Sequence, residues 1–223
     1  MDQPNLDPRL HTGALGGLRR VNRLSATASH LWHPIARLAA EIPDRPVRIL
    51  DLGSGGGDVA LGIARQAQRA RVSVRIEGWD ISPVAVEYAR TQARAAQYVN
   101  VAFLVRDALK QPVEADFDVV TCSLFLHHLE DVDAVRMLSA MSMVARHLVL
   151  VDDLHRTWLG YLLAWAGCRL LTRSPVVRVD GPRSVAAAFS LREITALATQ
   201  AGLAGCSVRR HWPERFLLSW RKS

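Results

Sequence analysis

The stretch Val47 to Asp58 reads V-R-I-L-D-L-G-S-G-G-G-D, and it limits the fold more than any other part of the chain. Val47, Ile49 and Leu50 form a short apolar run of the kind that is buried on both faces of a parallel sheet. The run ends in Asp51 and then in Gly53, Gly55, Gly56 and Gly57. From Asp58 to Arg69 the apolar residues Val59, Ile63 and Ala67 return at helical spacing, so the segment predicts strand, glycine turn, helix. In that geometry backbone N–H groups and a helix N-terminus face a bound ligand. Glycine removes the Cβ atoms where ligand and backbone approach closely.

The spacing narrows the ligand. A dinucleotide fingerprint G-x-G-x-x-G counted from Gly53 would need its third glycine at position 58, which is Asp58. A P-loop would need Gly-Lys-Ser/Thr, and no lysine is near. What fits is Asp51-x-Gly53-x-Gly55-x-Gly57. This D-x-G-x-G-x-G resembles the first motif of class I S-adenosyl-L-methionine (SAM)-dependent methyltransferases, and the resemblance extends over Val47 to Val151. The plainer reading is a glycine-rich turn without a ligand.

The following residues keep the alternation of strand and helix. Val72 to Trp79 predicts a second strand ending at Asp80, with Ser82 and Pro83 as N-cap and first residue of a helix to about Ala96. Val101 to Val105 predicts a third strand and Asp116 to Cys122 a fourth, followed by Ser123-Leu124-Phe125-Leu126-His127-His128. Asp131 or Asp133 opens a helix with Val135, Leu138, Met141 and Ala145 inward, and Leu148 to Val151 is a fifth strand ending in Asp152-Asp153. Such alternation implies a parallel sheet with right-handed crossovers and ligands at the carboxyl ends of its strands. The expectation is a doubly wound α/β fold with a mostly parallel, seven-stranded sheet whose seventh strand is antiparallel, that last feature being implied by the resemblance.

The flanks are read less directly. Residues 1–12 form a loose leader, and apolar residues from Leu15 to Leu38 predict two helices broken near Ser25–Ser29, with Pro34 in the first turn or at a kink of the second. In related methyltransferases such helices form part of a cover over the cofactor; otherwise they pack on the sheet edge. After Asp153, Trp158 to Cys168 is an uncharged apolar run, too short to span a bilayer and expected to be buried, interfacial or the lining of a greasy pocket. Asp180-Gly181-Pro182 predicts a turn. Ser190-x-x-Glu193 is a capping box opening a helix with Ile194, Leu197, Ala198 and Ala201 inward and Gly202 at its end. Cys206–Arg210 and Phe216–Trp220 flank Pro213 as a closing hairpin. One domain is expected: a cover over 1–46, a binding core over 47–153, an insertion over 154–189 and a closing unit over 190–223.

The resemblance assigns roles to single residues. Asp51, Gly53, Gly55 and Gly57 would hold the cofactor; Asp80 would accept hydrogen bonds from the ribose hydroxyls, and Ile81 would lie against the adenine. Asp107 would face the adenine amino group with the backbone of Ala108 near a ring nitrogen, and Ser123 would border the cofactor. Asp80 is also explicable as a first-turn aspartate near a helix dipole, and Asp107 as a turn residue. His128, and next to it His127, are the candidate bases, because the family places there the residues between cofactor and acceptor; His155 is a further candidate. A paired histidine at a helix start is also a common capping or structural feature.

Charge and cysteine content bear on partners and compartment. The formal net charge of +7 divides into +3 over residues 1–50 (7 basic, 4 acidic), −4 over 51–153 (10 and 14) and +8 over 154–223 (11 and 3). The basic third lies outside the ligand core and permits contact with nucleic acid or an anionic membrane surface, although the pattern disfavours nucleic acid. Cys122, Cys168 and Cys206 lie far apart with no C-x-x-C, and the first residues lack an apolar signal segment, so a cytoplasmic protein without a zinc site is expected. No cluster has metal-ligand spacing; a magnesium site would need an acidic pair such as Asp152-Asp153, and a metal-independent reaction is expected.

Ser123-Leu124-Phe125-Leu126 stands where nucleic-acid amino-methyltransferases of this fold carry Asn/Asp-Pro-Pro-aromatic, and it resembles the small-molecule branch. The expected activity is therefore O- or C-methylation of an apolar small molecule, a phenolic polyketide or quinol, with His155, Trp158, Tyr161 and Trp165 lining its pocket. The alternatives are an rRNA or tRNA methyltransferase that uses the arginine-rich C-terminal third, and a SAM-binding protein without turnover.

Overall fold

A computed structural model of the chain describes residues 25–110, 117–171 and 175–222. The described elements run α1 (Thr27–Glu41), β1 (Val47–Leu52), α2 (Asp58–Ala70), β2 (Val74–Asp80), α3 (Pro83–Ala95), β3 (Val101–Val105), β4 (Phe117–Ser123), a 3-10 turn (Leu126–His128), α4 (Asp131–Val144), β5 (Ala145–Leu154), α5 (Trp158–Leu171), α6 (Pro175–Ala187), α7 (Leu191–Gln200), β6 (Ser207–His211) and β7 (Arg215–Arg221). The strands form one seven-stranded sheet in the order β3-β2-β1-β4-β5-β7-β6. β1 to β5 are parallel, and β7 pairs antiparallel with both β5 and β6.

The central strands are apolar on both faces because helices cover both. Val47, Ile49, Leu148 and Leu150 pack with Leu31, Ile35 and Leu38 of α1 and with Val59 and Ile63 of α2. Leu50, Leu52, Val149 and Val151 point the other way, onto Met137, Leu138 and Met141 of α4 and Ile194 and Leu197 of α7. The loop before β1 is tied to β4 by Arg45, whose Nη1 and Nη2 each lie 2.6 Å from the buried Asp118 carboxylate. The capping box at Ser190 and Glu193 forms as expected and starts α7.

Several local expectations need correction. The halves of the expected N-terminal helix pair that fall on residues 14–24 lie outside the described residues. Pro34 stands inside α1 rather than in its first turn. Ala145 begins β5, and the inward face of α4 is Ala134, Met137, Leu138 and Met141. β5 extends to Leu154, because β7 pairs with it through Asp152, Asp153 and Leu154. Asp180-Gly181-Pro182 is not a turn: all three lie within α6. A Cβ on Gly181 would meet Cys168 Sγ at 2.3 Å, so this glycine serves the close crossing of α5 and α6. Tertiary packing overrides the local turn signal there.

Candidate active site

The carboxyl ends of the adjacent parallel strands β2, β1, β4 and β5 lie side by side at one end of the sheet, and Asp80, the glycine turn, Ser123 and His127 stand at or just after those ends. After β1 the chain turns through Gly53, Gly55 and Gly57, all at positive φ (67°, 52° and 76°). The Gly55 N–H donates to Asp80 Oδ2 at 2.8 Å, and the Ser82 N–H donates to Asp80 Oδ1 at 2.8 Å. Asp80 thus holds the glycine turn and the start of α3 together. A Cβ on Gly55 would meet nothing within 4 Å, whereas one on Gly53 would strike the Phe125 ring at 2.7 Å. The turn is closed beneath and open above.

Asp51 is buried and accepts a hydrogen bond from Thr121 Oγ1 at 2.8 Å on Oδ1, while its Oδ2 has no hydrogen-bond partner among the described residues. Burial pushes its carboxyl up to about 7, against the Thr121 hydrogen bond and with the help of the Asp58 and Asp80 charges. Ile81, at the end of β2, is 63 % exposed and offers an apolar face beside Asp80. Asp107 follows β3 as a turn residue: its Oδ1 accepts the Leu109 N–H at 3.0 Å, and Lys110 Nζ lies 3.3 Å from Oδ2. Ala108 is partly buried against the core, and Ser123 ends β4 beside Asp152.

An open glycine turn, a buried unpartnered carboxylate oxygen and an exposed apolar side chain next to Asp80 fit SAM, which carries a cationic amino acid end, a ribose and an adenine. Gly53, Gly55, Gly57, Asp51, Asp80 and Ile81 are the residues that would hold it.

The two carboxylates near the end of β5, Asp152 and Asp153, diverge, because successive strand residues face opposite sides of a sheet. Asp153 Oδ1 lies 2.7 Å from His127 Nδ1, and both side chains are buried. Burial alone would raise the Asp153 carboxyl; the His127 charge, the His127 hydrogen bond and the N–H groups of Leu154 and His127 outweigh it and hold the group below the usual range. Asp152 Oδ2 lies 2.8 Å from His211 Nε2 on the other face, where Arg215 Nη1 also reaches Thr27 Oγ1 at 2.5 Å. The His211 ring stands 4.0 Å from that of His30, so this second cluster ties α1 to β6 and β7. The acidic pair weighed for magnesium is therefore split between two histidines.

Of the two candidate bases, His127 is buried with its Nδ1 on the Asp153 carboxylate, whereas His128 is exposed. His155 is buried with Nδ1 3.7 Å from Glu214 Oε2; burial, with the Arg210 charge, pushes its pKa down despite Glu214. Trp158, Tyr161 and Trp165 stand on an outward stripe of α5 (75 %, 36 % and 47 % exposed). Sequence reasoning missed Thr121 as the partner of Asp51, Phe125 as the floor of the glycine turn, and Asp153 as the partner of His127. The register of β4 on β1 and β5 makes all three, and no spacing in the sequence carries it.

Comparison with known proteins agrees with this geometry. Residues 49–147 match a family described as "Methyltransferase domain". The matched segment runs from β1 into β5, so this part of the chain is similar to that domain, and the sheet as a whole has the fold seen in SAM-dependent methyltransferases. Among its relatives is a ubiquinone biosynthesis O-methyltransferase of Alkalilimnicola ehrlichii, 34% identical over 171 residues, which cover 68% of this chain and 65% of the relative. A demethylmenaquinone methyltransferase of Deinococcus radiodurans is 34% identical over 115 residues, 51% of this chain and 44% of that one. The chain thus spans less than two thirds of the length of these relatives. In fold it is similar to the magnesium protoporphyrin IX methyltransferase of Synechocystis with bound S-adenosylhomocysteine (SAH), at a TM-score of 0.63, 17% identity and 94% coverage of both chains.

Proposed function

We propose that this protein transfers the methyl group of SAM to a hydroxyl oxygen of an apolar quinol or related phenol. The observation that carries the reading is the buried His127–Asp153 pair, set just after β4. The relatives named for ubiquinone and demethylmenaquinone methylation support a quinol over other small phenols.

SAM, when bound, would supply a sulfonium methyl group whose carbon an oxygen nucleophile attacks in line, with SAH as the leaving group. The chain's own tasks are to place that oxygen, exclude water and remove its proton. A phenol titrates near pH 10, so a base is needed at neutral pH. Asp153 accepts from His127 Nδ1, which fixes the tautomer with the lone pair on Nε2. His127 Nε2 takes the hydroxyl proton, and the Asp153 carboxylate stabilises the imidazolium that results. Asp80 and the glycine turn hold the nucleoside end, and Asp51 offers its unpartnered oxygen to the cationic end.

The test is incubation with SAM and a panel of short-tailed catechols and hydroquinols, with mass spectrometry of the products. A product heavier by one methyl on oxygen, absent with His127→Ala, is the expected result. No methylated quinol or phenol from a protein that SAH demonstrably stabilises would overturn the acceptor assignment while leaving cofactor binding intact.

A further inference from the structure

The helix α5 is inverted relative to an ordinary surface helix. Trp158, Tyr161, Leu162, Trp165 and Arg169 recur at i, i+3, i+4, i+7 and i+11, which places them on one stripe, and that stripe is exposed. Leu159 and Leu170 flank it at 53 % and 85 % exposure. The residues that face inward are small: Gly160, where a Cβ would meet Thr157 Oγ1 at 2.9 Å and Glu214 Cβ at 3.2 Å, and Cys168, which packs against Gly181 of α6. Large apolar side chains outward and glycine inward is the reverse of what water as the only neighbour would select.

The composition of the stripe identifies its neighbour. Tryptophan and tyrosine carry an apolar body and a polar tip, which suits the boundary between lipid headgroups and acyl chains. The Trp158 and Tyr161 rings stack at 6.0 Å, nearly parallel at 6°. The Arg169 guanidinium lies 4.2 Å from the Trp165 ring centroid and donates to the Trp165 carbonyl at 3.1 Å, so charge and apolar surface are presented together. Residues 158–187 contain Arg169, Arg173, Arg178 and Arg183 against a single acidic residue, Asp180. An aromatic, exposed helix that carries an arginine in its last turn, is not long enough to cross a membrane and packs on the arginine-bearing α6 matches a surface that lies in the plane of an anionic bilayer.

We propose that α5 docks this protein on an anionic lipid surface, with Trp158, Leu162 and Trp165 entering the headgroup layer and the arginines of α5 and α6 meeting lipid phosphates. The helix is well placed for this. It follows β5 directly, Thr157 Oγ1 binds Glu214 Oε2 at 2.9 Å at its root, and α6 packs both on α5 and on the 3-10 turn that carries His127. An acceptor dissolved in the bilayer would then reach the site from the docked side. The docking itself rests on the exposed stripe and not on the reaction.

Flotation with vesicles of phosphatidylcholine and phosphatidylglycerol tests it without cofactor or acceptor. The wild type is expected to float with mixed vesicles, to do so less with phosphatidylcholine alone and at high salt, and to shift its tryptophan emission to shorter wavelength on binding. Trp158→Ser with Trp165→Ser is expected to lower the bound fraction on the order of tenfold, the loss that about 1.4 kcal/mol gives. Both side chains are exposed, so circular dichroism and the melting temperature should be little changed. Absence of the wild type from the floating fraction, or equal flotation of the double variant, overturns the proposal. So does a wild-type dimer in sedimentation that the double variant converts to monomer, because the stripe is then an interface between two copies.

Discussion

Asp80, at the carboxyl end of β2, reaches to the glycine turn after the neighbouring β1, and its Oδ2 accepts the Gly55 N–H at 2.8 Å while Oδ1 accepts the Ser82 N–H. One carboxylate therefore fixes both the glycine turn after β1 and the start of the helix that follows β2. Asp80→Ala is expected to abolish the stabilisation that SAM or SAH gives. At a hundredfold excess over Kd a ligand adds about 2.7 kcal/mol, which for a chain of this size is roughly 5–10 °C in melting temperature. Thermal melts of wild type and variant with and without SAH measure it; an equal shift in both would remove Asp80 from the site.

Gly53 and Gly55 share positive φ but not surroundings, so their alanine variants should differ. Gly55→Ala meets open space and bears only the left-handed strain of about 1–2 kcal/mol. Gly53→Ala adds a collision with the Phe125 ring and should cost more, about 3 kcal/mol in all. Gly55→Ala should nevertheless lose SAH binding as fully, because its methyl group points into the space a cofactor needs. Urea melts and calorimetric titration separate the two effects.

His127→Ala is expected to lower kcat by roughly 10²- to 10⁴-fold, the range for loss of a general base, while SAH still stabilises the protein. His128→Ala, at an exposed position, should change kcat by less than the His127 variant. Single-turnover assays across pH with one quinol acceptor test both, and an inactive His128 variant beside an active His127 variant would reverse the assignment.

The Asp153 carboxyl is held below its unfolded value of about 3.9. A depressed carboxylate contributes stability that is complete above the unfolded value and is lost as pH falls through the folded one. The gap in stability between wild type and Asp153→Asn should therefore be widest near neutrality and close below about pH 4. Denaturant melts over that range check it.

Asp51 has the opposite sign. With a folded value of about 7, its native form retains a proton that the unfolded chain has lost, so its burial destabilises the free protein increasingly from about pH 4 to 7. A cationic cofactor group at Oδ2 would favour the carboxylate and expel that proton. SAH binding at pH 7 should thus release protons in wild type and not in Asp51→Asn, as read from calorimetry in buffers of differing ionisation enthalpy.

The strands and the glycine turn were legible because their signals are local. Val47 to Asp58 carries strand, turn and helix cap within twelve residues, and the Ser82-Pro83 and Ser190–Glu193 starts are likewise set by neighbours in sequence. What stayed hidden depends on register or on which side of an element faces inward. His127 and His128 are adjacent in a 3-10 turn, about 120° apart around its axis, and only the position of β5 selects the first for Asp153. The run from Trp158 to Cys168 has few polar residues to mark an outer face, so its inversion could be seen only once Gly160 and Cys168 were found packed inside. Gly181-Pro182 has the composition of a turn, and the contact with Cys168 keeps it helical.

The antiparallel seating of β7 has a consequence during synthesis. β5 ends at Leu154 and its partner begins at Arg215, so about 60 residues must leave the ribosome before that edge is covered. At about 5–20 residues per second this takes some 3–12 s. Throughout, the nascent sheet presents the unpaired hydrogen-bonding edge of Ala145–Leu154, the longest strand of the fold, with neither His211 nor Arg215 yet available to Asp152. A bare edge of that length is a template for pairing with other chains. A chaperone that guards the emerging polypeptide would have its greatest effect in that interval.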